Sequence, residues 1–206
     1  MEFQNLTAFI DIFASASFAA TGALVASRKG LDILAFMWLA VLTGVGGGTV
    51  RDLVLGAPVF WIVSPSFLTT CLITAVVVYL AAPRIESRYT LLLWFDALGL
   101  ALVTVAGTAK ALDYGTGALV AVVMGVVTAS VGGIIRDLVG HEPSIILKRE
   151  IYVTAAAAGA CIFVLTNALN IAWLNPTIAG FVTTFVVRGL AITFDWQMPG
   201  YRRPAK

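Results

Sequence analysis

Two stretches of the sequence repeat one unusual pattern: residues 43–58 read TGVGGGTVRDLVLGAP, and residues 128–143 read TASVGGIIRDLVGHEP. Each stretch places consecutive glycines just before an Arg-Asp pair, and each lies within an otherwise apolar segment. Glycine costs a helix interior roughly 1 kcal/mol relative to alanine, and an unpaired charge is expensive in hydrocarbon. The return of both features 85 residues later indicates that the two copies share a structural or functional purpose.

The composition places the chain among polytopic membrane proteins. Of its 206 residues, 60% are hydrophobic and 12% are charged, and the mean hydropathy is +0.96. A soluble domain of this length cannot bury so much apolar surface. The net charge of +2 is too small for a nucleic-acid-binding surface. Neither Cys71 nor Cys161 has the spacing of a metal ligand, and no nucleophile and base come together, so we expect no enzyme, no fixed metal site and no cofactor.

The apolar segments predict an all-α fold with seven transmembrane helices. A helix that crosses a bilayer needs about 20 predominantly apolar residues. The whole chain, 1–206, is predicted to be one transmembrane domain that ends in a cytoplasmic tail, 195–206. The seven predicted spans are 5–27, 33–53, 65–82, 91–111, 116–138, 150–169 and 175–194.

The distribution of basic residues predicts the orientation in the membrane. Arg51 and Lys110 lie near one side of the predicted bundle. Cytoplasmic loops are enriched in lysine and arginine, so the side with more of them faces the cytoplasm. We therefore expect an external N-terminus and a cytoplasmic C-terminus in the plasma membrane of a prokaryote. The residues on the predicted cytoplasmic side are Arg28, Lys29, Arg84, Arg88, Lys148, Arg149, Arg202, Arg203 and Lys206.

An internal repeat organises these spans. Residues 11–58 align with residues 96–143 without a gap, and 15 of the 48 positions are identical, including the Arg-Asp pairs and the flanking Asp and Pro. The predicted repeats cover 5–82 and 91–169, and the seventh helix, 175–194, stands outside them. Because each repeat has three spans, an odd number, the second enters the membrane from the opposite side. Inverted repeats of this kind place a permeation or substrate path between the two halves.

Helical spacing groups the polar positions of each motif on one face. Thr43, Gly47 and Arg51 follow one another at intervals of four residues, and the second copy has the same arrangement. Two interpretations stay open. Either the glycines interrupt or kink the helix where backbone lines a watery path, or they only allow two helices to approach closely. The equivalent positions of the second copy are Thr128, Gly132 and Arg136.

Leucine at Gly47 separates the two interpretations. If its backbone faces a path, Gly47→Leu closes the path in a protein that still assembles, and Gly132→Leu does the same. If the glycines serve helix contact, the same changes cause misassembly. The path interpretation favours lost conduction with assembly kept, with Gly22→Leu as the control.

The charged residues form two predicted clusters at opposite ends of the bundle. Arg51 can neutralise Asp11 or Asp52 at one end. At the other end Arg136 can neutralise Asp96 or Asp137. Ion pairs that tie helices together and charged vestibules of one path both fit this arrangement. Arg188, in the seventh span, is predicted to be a snorkelling or interhelical charge.

The motifs resemble those of one family. The paired GGGTVRDLV and GGIIRDLV, the FDALGL that opens span four and the closing RGLAITFDWQMP resemble the prokaryotic trimeric intracellular cation (TRIC) channels over almost the whole chain. The resemblance implies a homotrimer with a potassium-permeable pore in each subunit, surrounded by glycine-kinked second and fifth helices. K⁺, with Na⁺ as a second candidate, is then the permeant ion. The positions that the resemblance assigns to the pore and its kinks are Gly46, Gly47, Gly48, Gly132, Gly133, Thr43, Thr128 and Ser130.

Three functions stay open on the sequence. Hydroxyls and exposed carbonyls can replace part of the hydration shell of K⁺, which favours a passive channel of weak to moderate selectivity. Related bacterial sequences carry a glycine-transporter label, and the positive ends of broken helices suit the carboxylate of a small zwitterion. A non-conducting structural membrane protein is the third alternative, and the doubled motif argues against it.

Overall fold

The computed structural model describes residues 2–84, 87–144, 150–170 and 174–199, with side chains from residue 11 onward. In these ranges the regular structure is helical, apart from one isolated bridge between Glu150 and Gln197. A short 3₁₀ turn, Ala82–Arg84, follows the fourth helix. The α-helices are α1 Glu2–Arg28, α2 Ile33–Leu55, α3 Phe60–Val63, α4 Ser66–Ala81, α5 Arg88–Asp113, α6 Ala118–Val139, α7 Val153–Leu169 and α8 Pro176–Thr193.

The seven long helices coincide with the seven predicted spans, and α3 is the element that the hydropathy pattern did not predict. It begins just after Pro58, where the chain turns back toward the bundle. Five of the helices within the described residues are long and apolar enough to cross a membrane, namely α2, α4, α5, α6 and α8, and α7 is a shorter apolar helix. Helix α7 starts at Val153 rather than at residue 150, and residues 145–149 and 200–206 of the predicted cytoplasmic side lie outside the described residues.

Helix α2 has clear boundaries and no interruption between them. The Asp32 carboxylate accepts a hydrogen bond from the Ala35 amide (2.8 Å) as the N-cap, and Gly56 ends the helix with a φ of 66°. Between these caps helical structure continues through Gly46, Gly47 and Gly48, and α6 likewise continues through its glycines. The expected break in these two helices is therefore wrong. The kink that the resemblance implies for each of these helices stays a prediction.

The packing follows the internal repeat. Helices α1, α2 and α4 pack together as one unit, and α5, α6 and α7 form the equivalent second unit. The two units meet through α1 against α5 and through α2 against α6, so each of these helices contacts its own repeat counterpart. A pseudo-twofold axis requires this kind of self-pairing. Helix α8 has no counterpart and covers α5 and α7.

The crossing of α2 and α6 shows why the motif glycines recur. A Cβ atom added to Gly132 would lie 2.7 Å from the carbonyl oxygen of Thr43, and one added to Gly47 would overlap the carbonyl oxygen of Thr128. These two contacts are the same contact seen from each repeat. Small residues let helix backbones approach in this way. The helix-contact interpretation therefore holds for Gly47 and Gly132.

Candidate functional site

A cavity of about 340 Å³ lies between the two repeats. Its lining comes from α1, α2, α5 and α6, with contributions from α3, α4 and α8. It contains the exposed Asp113 at the C-terminal end of α5 and reaches inward to the middle of α2 and α6. The polar and glycine residues of the lining are Asp11, Ser15, Thr43, Gly44, Gly47, Gly48, Arg51, Lys110, Asp113, Thr128, Gly132 and Thr177.

Two buried threonines, one from each repeat, line the cavity. The Thr43 hydroxyl donates to the Leu39 carbonyl (2.6 Å), and the Thr128 hydroxyl donates to the Met124 carbonyl (2.5 Å). Each hydrogen is used inside its own helix, so the hydroxyl oxygen keeps lone pairs that can accept. The two oxygens lie beside Gly22 of α1 and Gly107 of α5, so the two repeats contribute equivalent threonines at equivalent helix contacts.

We call the end of the bundle that carries Asp11, Arg51, Asp52 and Lys110 the Asp52 end. There the buried Asp52 carboxylate accepts hydrogen bonds from Arg51 Nε (2.8 Å), Lys110 Nζ (2.8 Å) and the Phe60 amide (2.9 Å). The guanidinium of Arg51 also lies 5.8 Å from the centre of the Phe60 ring. The predicted Arg51–Asp52 pair is therefore present, and Lys110 joins it.

Asp11 occupies a different position in the same cluster. Its half-buried side chain lines the cavity, and the charges of both Arg51 and Lys110 act on it, whereas Asp52 takes their hydrogen bonds. A carboxylate in this position contributes negative charge to the cavity and balances the cations nearby. The cavity therefore has both acidic and basic groups at the Asp52 end.

We call the opposite cluster the Arg136 end. Arg136 is fully buried and pairs with Asp96 Oδ1 (2.5 Å) and Asp137 Oδ1 (2.9 Å), so both predicted partners are confirmed. Its Nη1 also donates to the Thr21 hydroxyl of α1 (3.0 Å). Because these groups are enclosed and joined across α1, α5 and α6, the Arg136 end is closed, in contrast to the Asp52 end.

Three differences between the repeats explain this asymmetry. Thr21, which bonds to Arg136, has the cavity-lining Ala106 as its repeat equivalent. Lys110, which bonds to Asp52, corresponds to the buried and apolar Val25. Compared with the Asp52 end, the Arg136 end therefore has an additional hydroxyl and lacks a partly exposed lysine.

The third difference concerns an aromatic position in the first turn of α4 and just before α7. Tyr152, fully buried with its hydroxyl 3.4 Å from the Ala129 carbonyl oxygen, corresponds to Phe67 in the first repeat. Phe67 lines the cavity and packs edge-to-face on Phe60, with ring centres 4.7 Å apart. At this position the first repeat therefore lines the cavity, whereas the second repeat fills the equivalent space with the Tyr152 ring.

The structure brings most of the predicted site residues together in two groups. Thr43, Gly47, Gly48, Thr128 and Gly132 line the cavity. Three other predicted positions do not line it: Gly46 faces Ile135, Gly133 faces Tyr152 and Arg136, and the Ser130 hydroxyl is buried. Their assignment to a pore stays a prediction.

Sequence reasoning missed several lining residues, among them Ser15, Lys110 and Asp113. Lys110 lies four residues after Ala106, the repeat equivalent of Thr21, and nothing in its own spacing marks it as a partner of Asp52. A signal was nevertheless present, because a lysine at the end of an apolar span opposite an Arg-Asp pair is a candidate partner for the acid.

The family comparison finds the repeat a second time. A family model described as Glycine transporter matches residues 8–83 and again residues 93–168, with the same offset of 85 residues. A membrane protein of Vibrio cholerae, UPF0126, is 37% identical over 199 residues, which are 96% of this chain and 83% of that protein. The inner membrane protein YadS of Escherichia coli K12 is 35% identical over 95% of this chain and 96% of its own length.

Solved structures show the same fold. The TRIC trimeric intracellular cation channel orthologue from Rhodobacter sphaeroides superposes with a TM-score of 0.89 and 47% identity, over 93% of this chain and 99% of that one. A second structure, from work on conductance through TRIC cation channels, has a TM-score of 0.82 and 27% identity, over 96% of this chain and 98% of that one. These relatives are ion channels rather than enzymes. The chain is thus a multi-pass membrane protein that belongs to the Glycine transporter family and to the prokaryotic TRIC channels.

Proposed function

We propose that the chain is a monovalent-cation channel that passes K⁺ through a separate pore in each subunit of a homotrimer in the bacterial plasma membrane. The observation that supports it best is the cavity between the repeats, whose lining joins the charged Asp52 end to the hydroxyl-bearing Thr43 and Thr128. Such oxygens can replace part of the hydration shell of a cation while binding it weakly enough for release. The relatives with solved structures are described as cation channels, which agrees with this proposal.

The proposed path starts at the Asp52 end, where Asp11 attracts cations and Lys110 is held by Asp52. It continues to the hydroxyls of Thr43 and Thr128, the deepest polar groups of the cavity. The remaining barrier is the Arg136 end, whose buried ion pairs must separate or move aside before an ion can pass. In this proposal the structure corresponds to a channel closed at one end.

Recordings from purified protein in planar bilayers test the proposal. With unequal KCl concentrations on the two sides, we expect unitary currents that reverse near the K⁺ equilibrium potential rather than that of Cl⁻. Na⁺ is expected to carry a smaller but measurable current, because no rigid carbonyl filter is present in the described residues. Protein that inserts as trimers and passes no current would contradict the proposal.

Valine at the two deep threonines tests the proposed path. Thr43→Val and Thr128→Val keep the shape of the side chain and remove the oxygen, so we expect lower unitary K⁺ conductance and, for the double variant, a further decrease. Thr193→Val is the matched control, since its hydroxyl bonds to the Gly189 carbonyl (2.8 Å) at the end of α8, away from the cavity. Unchanged conductance in the double variant would remove these hydroxyls from the path.

A transporter for a small zwitterion such as glycine is the second candidate. The specific observation in its favour is that Arg51 and Lys110 lie near Asp11 and Asp113 in one cavity, so both charged groups of an amino acid have partners there. The description of the family model points the same way. Uptake of labelled glycine into liposomes, driven by an ion gradient and without unitary currents, would favour this candidate over the channel.

The proposed orientation places the Asp52 end outside the cell. It rests on the basic residues of the opposite side, among which Arg28, Lys29, Arg84 and Arg88 lie in the described part of the chain. A reporter fused after Lys206 is expected to be active when it requires the cytoplasm. Activity of a periplasm-dependent reporter at that position would reverse the assignment.

A further inference from the structure

Arg188 of α8 is a buried cation that lies outside both repeats. It lies in the one long helix without a repeat counterpart, and only 2% of its surface is exposed. A guanidinium in an apolar span is costly unless it is paired. The predicted snorkelling position is therefore wrong, and the interhelical alternative is the correct one. Its contacts must explain why the chain keeps it there.

Within the described residues, the polar and cation–π contacts of Arg188 fall on three consecutive residues that precede α7. Nη2 pairs with Glu150 Oε2 (2.6 Å), Nη1 donates to the Ile151 carbonyl (3.3 Å), and the guanidinium carbon lies 5.2 Å from the centre of the Tyr152 ring. Glu150 is further tied to Gln197, beyond the end of α8, through the isolated bridge. Helix α8 and the residues after it thus hold this segment by a salt bridge, a hydrogen bond and a cation–π contact.

The held segment carries Tyr152 into the Arg136 end. A Cβ atom built on Gly133 would lie 3.3 Å from the Tyr152 hydroxyl, 3.7 Å from Arg136 Nη2 and 4.0 Å from Asp96 Oδ1. The tyrosine hydroxyl therefore shares one small space with the Arg136–Asp96 pair. Any movement of residues 150–152 must displace the ring that closes this end.

We propose that Arg188 is a positioning residue that fixes Tyr152 against the Arg136–Asp96 pair, so that α8 controls how often the Arg136 end opens. The consequence for opening rests on the proposed channel function, whereas the positioning of Tyr152 does not. Lysine cannot reproduce the arrangement. Its single ammonium can pair with Glu150, but it lacks the planar fork that also reaches the Ile151 carbonyl while lying over a ring.

The first test measures the position of the segment without currents. Hydrogen–deuterium exchange of the reconstituted protein is expected to increase at residues 151–156 in Arg188→Lys, because the start of α7 loses contacts that hold it to α8. Arg84→Lys is the charge-matched control, since Arg84 bonds to the Leu80 carbonyl at the end of the preceding helix α4. If Arg188→Lys is too unstable to purify, Glu150→Gln removes the salt bridge alone. Unchanged exchange at 151–156 in a folded variant would overturn the proposal.

The second test measures coupling in single-channel recordings of Arg188→Lys, Tyr152→Phe and the double variant. We expect each single change to raise the open probability by at least about twofold, the lower range of coupling between contacting residues. In the Tyr152→Phe background, Arg188→Lys should add little, because both changes act through the same hydroxyl. Fully additive effects would overturn the role in opening. Absence of current in the wild type would instead refute the proposed function. The exchange result would still test whether Arg188 positions Tyr152.

Discussion

Gly47→Leu is expected to prevent assembly of the folded protein rather than to block an otherwise intact path. The Cβ atom alone would overlap the carbonyl oxygen of Thr128, and this oxygen belongs to the backbone of α6, so no rotation of a side chain relieves the overlap. Overpacking costs about 1–3 kcal/mol even where neighbours can shift, and here two helices must separate. We expect loss of the monodisperse peak in size-exclusion chromatography and a lower melting temperature in detergent.

This expected outcome is the opposite of the one that the path interpretation favours, which is lost conduction with assembly kept. Gly132→Leu should behave similarly but less severely, because its Cβ would lie 2.7 Å from the Thr43 carbonyl oxygen, a less severe overlap. Gly22 is unsuitable as the control, since a Cβ there would meet the Leu39 carbonyl oxygen. Gly117 is suitable: it precedes α6 with a φ of −68°, and nothing lies within 4 Å of an added Cβ. A well-folded Gly47→Leu protein would show that α2 and α6 do not cross as described.

Arg136→Met is expected to destabilise the protein much more than Arg51→Met, although the two arginines are repeat equivalents. Arg136 is fully buried and pairs with two carboxylates, and in the described part of the chain no second cation pairs with Asp96. Removing one partner of a buried ion pair typically costs about 3–5 kcal/mol, because the other charge stays buried. We expect a large decrease in melting temperature, measured in detergent by the loss of the monodisperse peak after heating.

Arg51→Met is the internal control for this experiment. After the change Asp52 still has Lys110 Nζ at 2.8 Å and the Phe60 amide at 2.9 Å, so we expect the loss of about one charged hydrogen bond, 1.5–3 kcal/mol. The combined variant Arg51→Met/Lys110→Met should then approach the effect of Arg136→Met, since Asp52 loses both cations. Equal losses for the two single arginine variants would contradict the asymmetry between the two ends.

Much of the architecture follows from local chemistry and was predictable. The apolar spans determine where helices cross the bilayer, because a buried backbone must form its own hydrogen bonds there. The repeated Arg-Asp motif predicted the two charge clusters at opposite ends. It also gave Asp11, Asp52, Asp96 and Asp137 as alternative partners, because a charge in hydrocarbon needs an opposite charge close in sequence or depth. Of these four, Asp52, Asp96 and Asp137 form ion pairs with the two arginines.

Other features depended on which helices face one another. The same glycines suit a kinked pore helix and a tight crossing, and the tight crossing became visible only in the reciprocal contact of Gly47 with Thr128 and of Gly132 with Thr43. In the same way Lys110 is a partner of Asp52 because α5 lies beside α2 at that depth.

The sequence by itself determined the helices, the repeat and the need for each buried charge to be paired. Only the tertiary structure decided that the Asp52 end is open and the Arg136 end closed. The two ends carry the same Arg-Asp motif, and they differ through residues that reach them from other helices: Thr21 from α1 and Tyr152 from the start of α7, the latter held in place by Arg188 of α8. Contacts between distant segments depend on the packing of whole helices, which the local spacing of residues does not encode.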